Sequence, residues 1–166
     1  MSNLYNFSGK VTIVTGSSSG IGAATAIHFA KFGGQVVITG RNKEKLQKVY
    51  DQCKKAAQEG SFKTINAVVQ VIGDVTDYEV LKKLVKTAID SFGKIDILIN
   101  NAGFGLPSSI YDPNLLESYN SIMDTNVKSV VALSQLVVPY LEKTKGVIVN
   151  VSSVGSMRPS VIEFNF

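Results

Sequence analysis

Eight residues near the start of the chain, Thr15-Gly16-Ser17-Ser18-Ser19-Gly20-Ile21-Gly22, have the composition of a phosphate grip. Gly16 can take a turn that a Cβ would obstruct. Gly20 lets backbone approach a ligand closely, and Gly22 lets the following segment pack tightly. A helix beginning at this loop would present unpaired N–H groups, which attract anions. The chemistry is that of holding a dinucleotide diphosphate, not of breaking a bond. The spacing is T-G-x-x-x-G-x-G, so the general G-x-G-x-x-G pattern is not met. A second candidate lies at Gly40-Arg41-Asn42. An acidic residue there would bind a ribose 2′-hydroxyl and repel a 2′-phosphate. None is present, and Arg41 offers a charged fork suited to phosphate.

These residues need elements to position them. Val11, Ile13 and Val14 form a short β-branched run that reads as a buried strand, and AATAIHFAKFG after the loop reads as a helix. Gly33-Gly34 stops that helix, and residues 35–39 form a second strand. Asn42 is a candidate N-cap for a polar helix to about Gly60. A third strand is expected over 65–72, ending at Gly73-Asp74-Val75. Thr76 and Glu79 read as a capping box for a helix to about Phe92. Residues 95–99 predict a fourth strand, ending in Asn100-Asn101-Ala102-Gly103. Residues 115–143 are mostly helical, with Pro139 a disturbance near the end. Residues 147–151 predict a fifth buried strand, delivering Ser152-Ser153.

Two motifs at separate strand ends, T-G-x-x-x-G-x-G and N-N-A-G, resemble those of the short-chain dehydrogenase/reductase family. The resemblance implies a Rossmann-like, doubly wound parallel α/β sheet with about five strands in the order 3-2-1-4-5. It implies nicotinamide chemistry between an alcohol and a carbonyl on a small molecule. With Arg41 at the second strand end, NADP(H) is favoured over NAD(H). Cofactor contacts fall on Thr15, Gly16, Ser18, Ser19, Gly20, Ile21, Gly22, Arg41, Asn42, Asp74, Val75, Asn101, Ala102 and Gly103. By the same resemblance Asp74 sits beside the adenine. Asn126 disturbs its helix and holds a water in the proton relay. Ser153 is aligned with the catalytic serine, with Ser152 the near alternative. No metal site is expected.

The family also uses a Y-x-x-x-K pair after the fifth strand. The pattern occurs at Tyr50–Lys54 and Tyr78–Lys82, but both precede the fourth strand, and Tyr140 has Thr144 four residues on. About 13 residues beyond Ser153, where the family's tyrosine falls, this chain has Phe166. The expectation is therefore a single dinucleotide-binding domain over 1–166 that lacks the family's C-terminal third. Its fifth strand would be an open apolar edge, a place for self-association, and the chain would be marginally stable. The alternative function is a non-catalytic nucleotide-binding or interaction module.

The bulk properties agree with an ordinary folded domain. The chain has 166 residues, 45% hydrophobic and 18% charged, with a net charge of +4. That charge is too weak to argue for nucleic acid, and the lysines at 43–55 and 82–86 read as solvated helix faces. The one cysteine, Cys53, lies mid-helix and reads as incidental, in keeping with a reducing compartment. No signal peptide and no membrane span is seen, so a cytoplasmic location is expected.

Overall fold

The β-branched runs do form strands, and each is separated from the next by a helix. The structure, a computed structural model, describes residues 5–60, 62–106 and 109–154. Its elements are β1 (Val11–Val14), α1 (Gly20–Lys31), β2 (Gln35–Gly40), α2 (Lys43–Glu59), β3 (Val68–Ile72), α3 (Tyr78–Phe92), β4 (Ile97–Asn100), α4 (Leu115–Met123), a π-helical turn (Asp124–Lys128), α5 (Ser129–Thr144) and β5 (Val147–Asn150). The strands make one sheet in the order β3-β2-β1-β4-β5, as expected. Every pairing is parallel, with β1 central: Val14 faces Ile38 on one side and Ile99 on the other. The reversal of strand order at β1 and β4 opens a crevice at their carboxyl ends, the usual ligand position in such sheets.

Each face of the sheet is covered by its own helices. Val14, Val36, Ile38, Val68 and Ile99 pack against α1 and α2, where Ala23, Ala26, Ala30, Leu46 and Val49 are buried. Ile13, Val37, Val71 and Leu98 pack on the other face against α3 and α5, through Leu81, Leu84, Leu133 and Val137. Small residues on α1 let that helix lie close to the strands, which fixes the height of the loop before it.

Some boundaries differ from expectation. Strand β3 begins at Val68, not at residue 65: Ile65 is 87% exposed and Asn66 takes a left-handed φ of 58°, which ends any extended run. Helix α3 is capped by Asp77, whose side chain accepts the Glu79 N–H at 2.9 Å. Thr76 does not cap it: its hydroxyl and its N–H are turned to Asp74, to which they donate at 2.9 and 3.0 Å. Strand β4 starts at Ile97. Ile95 is buried ahead of it, and Asp96 accepts hydrogen bonds from the Val11 N–H and the Lys10 and Lys94 ammonium groups. The helix expected over 115–143 is broken by the π turn, and Pro139 lies inside α5, which continues to Thr144. All four residues of β5 are exposed, so it is an edge and not the buried strand its composition implied.

Candidate nucleotide-binding and catalytic site

The loop between β1 and α1 is shaped by its glycines. Gly16 has φ +62°, and a Cβ there would stand 2.7 Å from the Ala102 Cα. Gly20 also has positive φ, but a Cβ there would meet nothing within 4 Å, so its surroundings are open. A Cβ on Gly22 would strike Asn101 Nδ2 and the Gly16 carbonyl, both at 2.5 Å. Thus Gly16 and Gly22 let the turn close on the β4 end, while Gly20 keeps its outer side bare.

The start of α1 differs from those of α2 and α3. Asn42 caps α2 by accepting the Lys45 N–H at 2.8 Å, and Asp77 caps α3. Ser19, at the N-cap of α1, makes no side-chain cap bond, and the first turn holds no acidic residue. The earliest of its backbone bonds is Ala23 N–H to Ser19 O, at 3.2 Å. The N–H groups of Gly20, Ile21 and Gly22 precede it, so this end keeps its positive dipole without a carboxylate to offset it.

Strand ends on both sides hold the loop. The Thr15 hydroxyl accepts the N–H groups of Asn101 and Ala102, at 2.9 and 3.0 Å. In return Asn101 Nδ2 donates to the carbonyls of Thr15 and Gly16, at 3.0 and 3.2 Å. Toward β2, Ser17 is fully buried and bonds to Thr39 through both backbone and side chain. A Cβ on Gly40 would lie 2.9 Å from the Cβ and Oγ of Ser18. Ser17 is not among the expected contacts, and nothing local in the sequence distinguishes it from the two serines that follow.

Arg41 and Asp74, at the ends of β2 and β3, meet at 3.5 Å. The Asp74 carboxyl is held below the usual carboxylate range. Partial burial works against its charge, but the Thr76 N–H and hydroxyl outweigh that, and the Arg41 charge adds to them. Arg41 is itself 75% exposed, so most of its donors stay open to a ligand. Val75 is buried in the core on the α3 and α5 side.

On the other side of the crevice, Asn126 lies in the π turn, the disturbance its residue type suggested. Its side chain clasps the loop after β4: Oδ1 accepts the Phe104 N–H at 3.0 Å, and Nδ2 donates to the Phe104 carbonyl at 2.9 Å. A Cβ on Gly103 would sit 3.2 Å from that Oδ1. The buried Asn100 ties β4 to β5 by donating to Asn150 Oδ1 at 2.9 Å. Ser152 and Ser153 follow β5 at the same carboxyl edge, both exposed. Asn100 and Asn150 are a tie between strand ends that residue type alone suggests only in general terms. Phe166 lies outside the described residues.

Tyr50–Lys54 and Tyr78–Lys82 sit on α2 and α3. In each the ammonium lies over its own tyrosine ring, at 5.6 and 5.0 Å from the centroid. They are surface cation–π pairs on helices away from the β5 end. Cys53 is fully buried, and burial pushes its thiol up to about 12, which leaves it inert. Among the described residues no helix is long and apolar enough to cross a membrane.

Known proteins share this arrangement. The sequence profile of the short chain dehydrogenases matches residues 10–164. An uncharacterised oxidoreductase of Staphylococcus epidermidis is 37% identical over 152 residues, which are 91% of this chain and 61% of the relative. The apo form of glucose dehydrogenase from Caenorhabditis elegans is 41% identical, with a TM-score of 0.78 over 91% of this chain and 57% of that one. A 7α-hydroxysteroid dehydrogenase complexed with NADH and 7-oxo glycochenodeoxycholic acid is 33% identical, with a TM-score of 0.84 over 95% of this chain and 58% of that one. The chain thus spans about half to three fifths of the length of the relatives it matches.

Proposed function

The chain belongs to the short-chain dehydrogenase/reductase family, and from that premise we propose that it binds NADP(H) across the carboxyl ends of β1, β2 and β4. The observation that carries this reading is the pairing of an uncapped, acid-free start of α1 with an open Gly20. A diphosphate fits there because N–H donors and a positive dipole converge where no side chain intrudes. Thr15, Gly16, Ser18, Ser19, Gly20, Ile21 and Gly22 form that cradle. Arg41 and Asn42 are assigned to the ribose 2′-phosphate, and Asp74 and Val75 to the adenine. Asn101, Ala102 and Gly103 are assigned to the floor beneath the adenosine.

The bound nicotinamide would give a hydride to, or take one from, the substrate carbon, so interconverting carbonyl and alcohol. This chain's part is to hold the reacting oxygen and the loop beside it. Ser153 would donate a hydrogen bond to that oxygen, and Asn126 would keep the adjoining loop in place through its clasp on Phe104. The proton donor is the family's tyrosine, and Phe166 stands at its spacing. We therefore assign nucleotide binding without turnover to these 166 residues, with a small alcohol or carbonyl compound as substrate of the activity to which they contribute. The bare β5 edge is the place where a second copy would pair.

Fluorescence titration tests the cofactor assignment. Wild type should bind NADPH more tightly than NADH. Arg41→Asp should weaken NADPH by roughly 30-fold, the worth of one or two charge-assisted hydrogen bonds. A wild type that prefers NADH contradicts the assignment.

A further inference from the structure

Ser17 belongs to the diphosphate turn in sequence but to the sheet in its bonding. It is fully buried, whereas Ser19 two residues on is exposed. Its hydroxyl lies 2.9 Å from the Val14 carbonyl and 3.2 Å from the Thr39 carbonyl, and it accepts the Thr39 N–H at 2.9 Å. Its own N–H donates to the Thr39 carbonyl at 2.9 Å.

The strand register explains these contacts. β1 and β2 pair from Val11 opposite Gln35 to Val14 opposite Ile38. β1 then turns away at Gly16, which would leave the next residue of β2 without a partner on that side. Thr39 is fully buried, so its amide cannot turn to water instead. Ser17 supplies both missing partners, one from its backbone and one from its side chain. Thr39 passes the tie outward, its hydroxyl donating to the Val71 carbonyl of β3 at 2.7 Å. Beyond Thr39 the backbone runs through Gly40, against Ser18, directly into Arg41.

We propose that Ser17 is a positioning residue that sets the separation between the diphosphate turn and the Arg41 end of β2. This rests on the nucleotide reading above. A ligand that must reach both segments depends on their spacing, and displacements below an ångström matter in such sites. A ligand that does not reach the diphosphate turn does not depend on it. Replacing Ser17 by alanine removes the acceptor of a buried amide, so Thr39 must shift to find another, and Arg41 shifts with it.

The test compares a spanning ligand with a one-ended one. Binding of NADPH and of adenosine 2′-monophosphate is measured calorimetrically on the 166-residue chain, wild type and Ser17→Ala, with folding checked by circular dichroism. The expected result is a loss of roughly tenfold for NADPH and less than about twofold for adenosine 2′-monophosphate, the pattern of a spacing defect. Ser17→Cys, which keeps a weaker acceptor in the same place, should fall between the two for NADPH. If Ser17→Ala does not fold, Ser17→Cys carries the same comparison. Equal losses for both ligands, or no loss for either, overturn the assignment of Ser17 while leaving the nucleotide site in place. A folded wild type that binds neither ligand overturns the nucleotide reading, and this one with it.

Discussion

The loop after β1 and the strand β5 lie at the same end of one sheet, yet they are supported in opposite ways. The loop is bonded from both sides, to Ile99 within β4 and Asn101 and Ala102 just after it, and to Thr39 on β2. Its strand is buried along its whole length. Among the described residues strand β5 pairs with β4 alone, and Val147, Ile148 and Val149 are 53, 37 and 45% exposed. The contrast separates two tasks. Gripping a nucleotide needs a turn that cannot shift, and the described residues complete that turn among themselves. Presenting Ser153 depends on β5, whose outer side these residues leave bare. A sheet of this kind is stable where both faces and both neighbours are filled, and here that condition holds at β1 and fails at β5.

The largest effect is expected at the tied loop. Gly16→Val forces a β-branched residue to positive φ and into the Ala102 backbone. It should cost about 4 kcal/mol in urea unfolding and abolish nucleotide binding. A variant that binds NADPH normally would show that the turn is not closed against β4. The next effect is at the sheet centre, where Ile38 is fully buried against α1 and α2. Ile38→Ala should lose about 3 kcal/mol, measured the same way.

Asp96 secures the opposite edge of the seam between β1 and β4. Burial works against its charge, but the Val11 N–H outweighs that together with Lys94 and Lys10, so its carboxyl lies below the usual range. Its contribution is therefore complete above the unfolded-state value of about 3.9 and is lost as pH falls through the lower folded-state value. Asp96→Asn should cost about 2 kcal/mol at neutral pH and flatten the acid limb of the stability curve. An unchanged acid limb would show that other carboxylates govern it.

The smallest effect belongs to β5. Val149→Thr should change stability by less than about 0.5 kcal/mol, because its side chain is already 45% exposed. The same change should reduce self-association in sedimentation runs. A loss comparable to that of Ile38→Ala would mean that the β5 edge is covered in solution, and the contrast would fail.

How much of this was legible in the sequence depends on how far each signal reaches. The glycine turn and the Asn42 cap follow from local patterns, the strand order follows from the family resemblance, and the structure shows all three. The start of β3 was misread because Ile65 is apolar, yet the positive φ of Asn66 keeps it out of the strand. Thr76 and Asp77 are both able caps, and the structure has Asp77 in that role while Thr76 donates to Asp74. The roles of Ser17 and Asn100 rest on partners 22 and 50 residues away, which no local pattern reports. Asn126 signalled a disturbed helix by its type, but the clasp on Phe104 needed coordinates.

Amide hydrogen exchange on the 166-residue chain, with and without NADPH, tests the central claim most directly. The account predicts slower exchange on binding in residues 15–22, 39–42 and 101–103, with β5 unchanged. Protection confined to other segments, or none at all in a chain that remains folded, would contradict it.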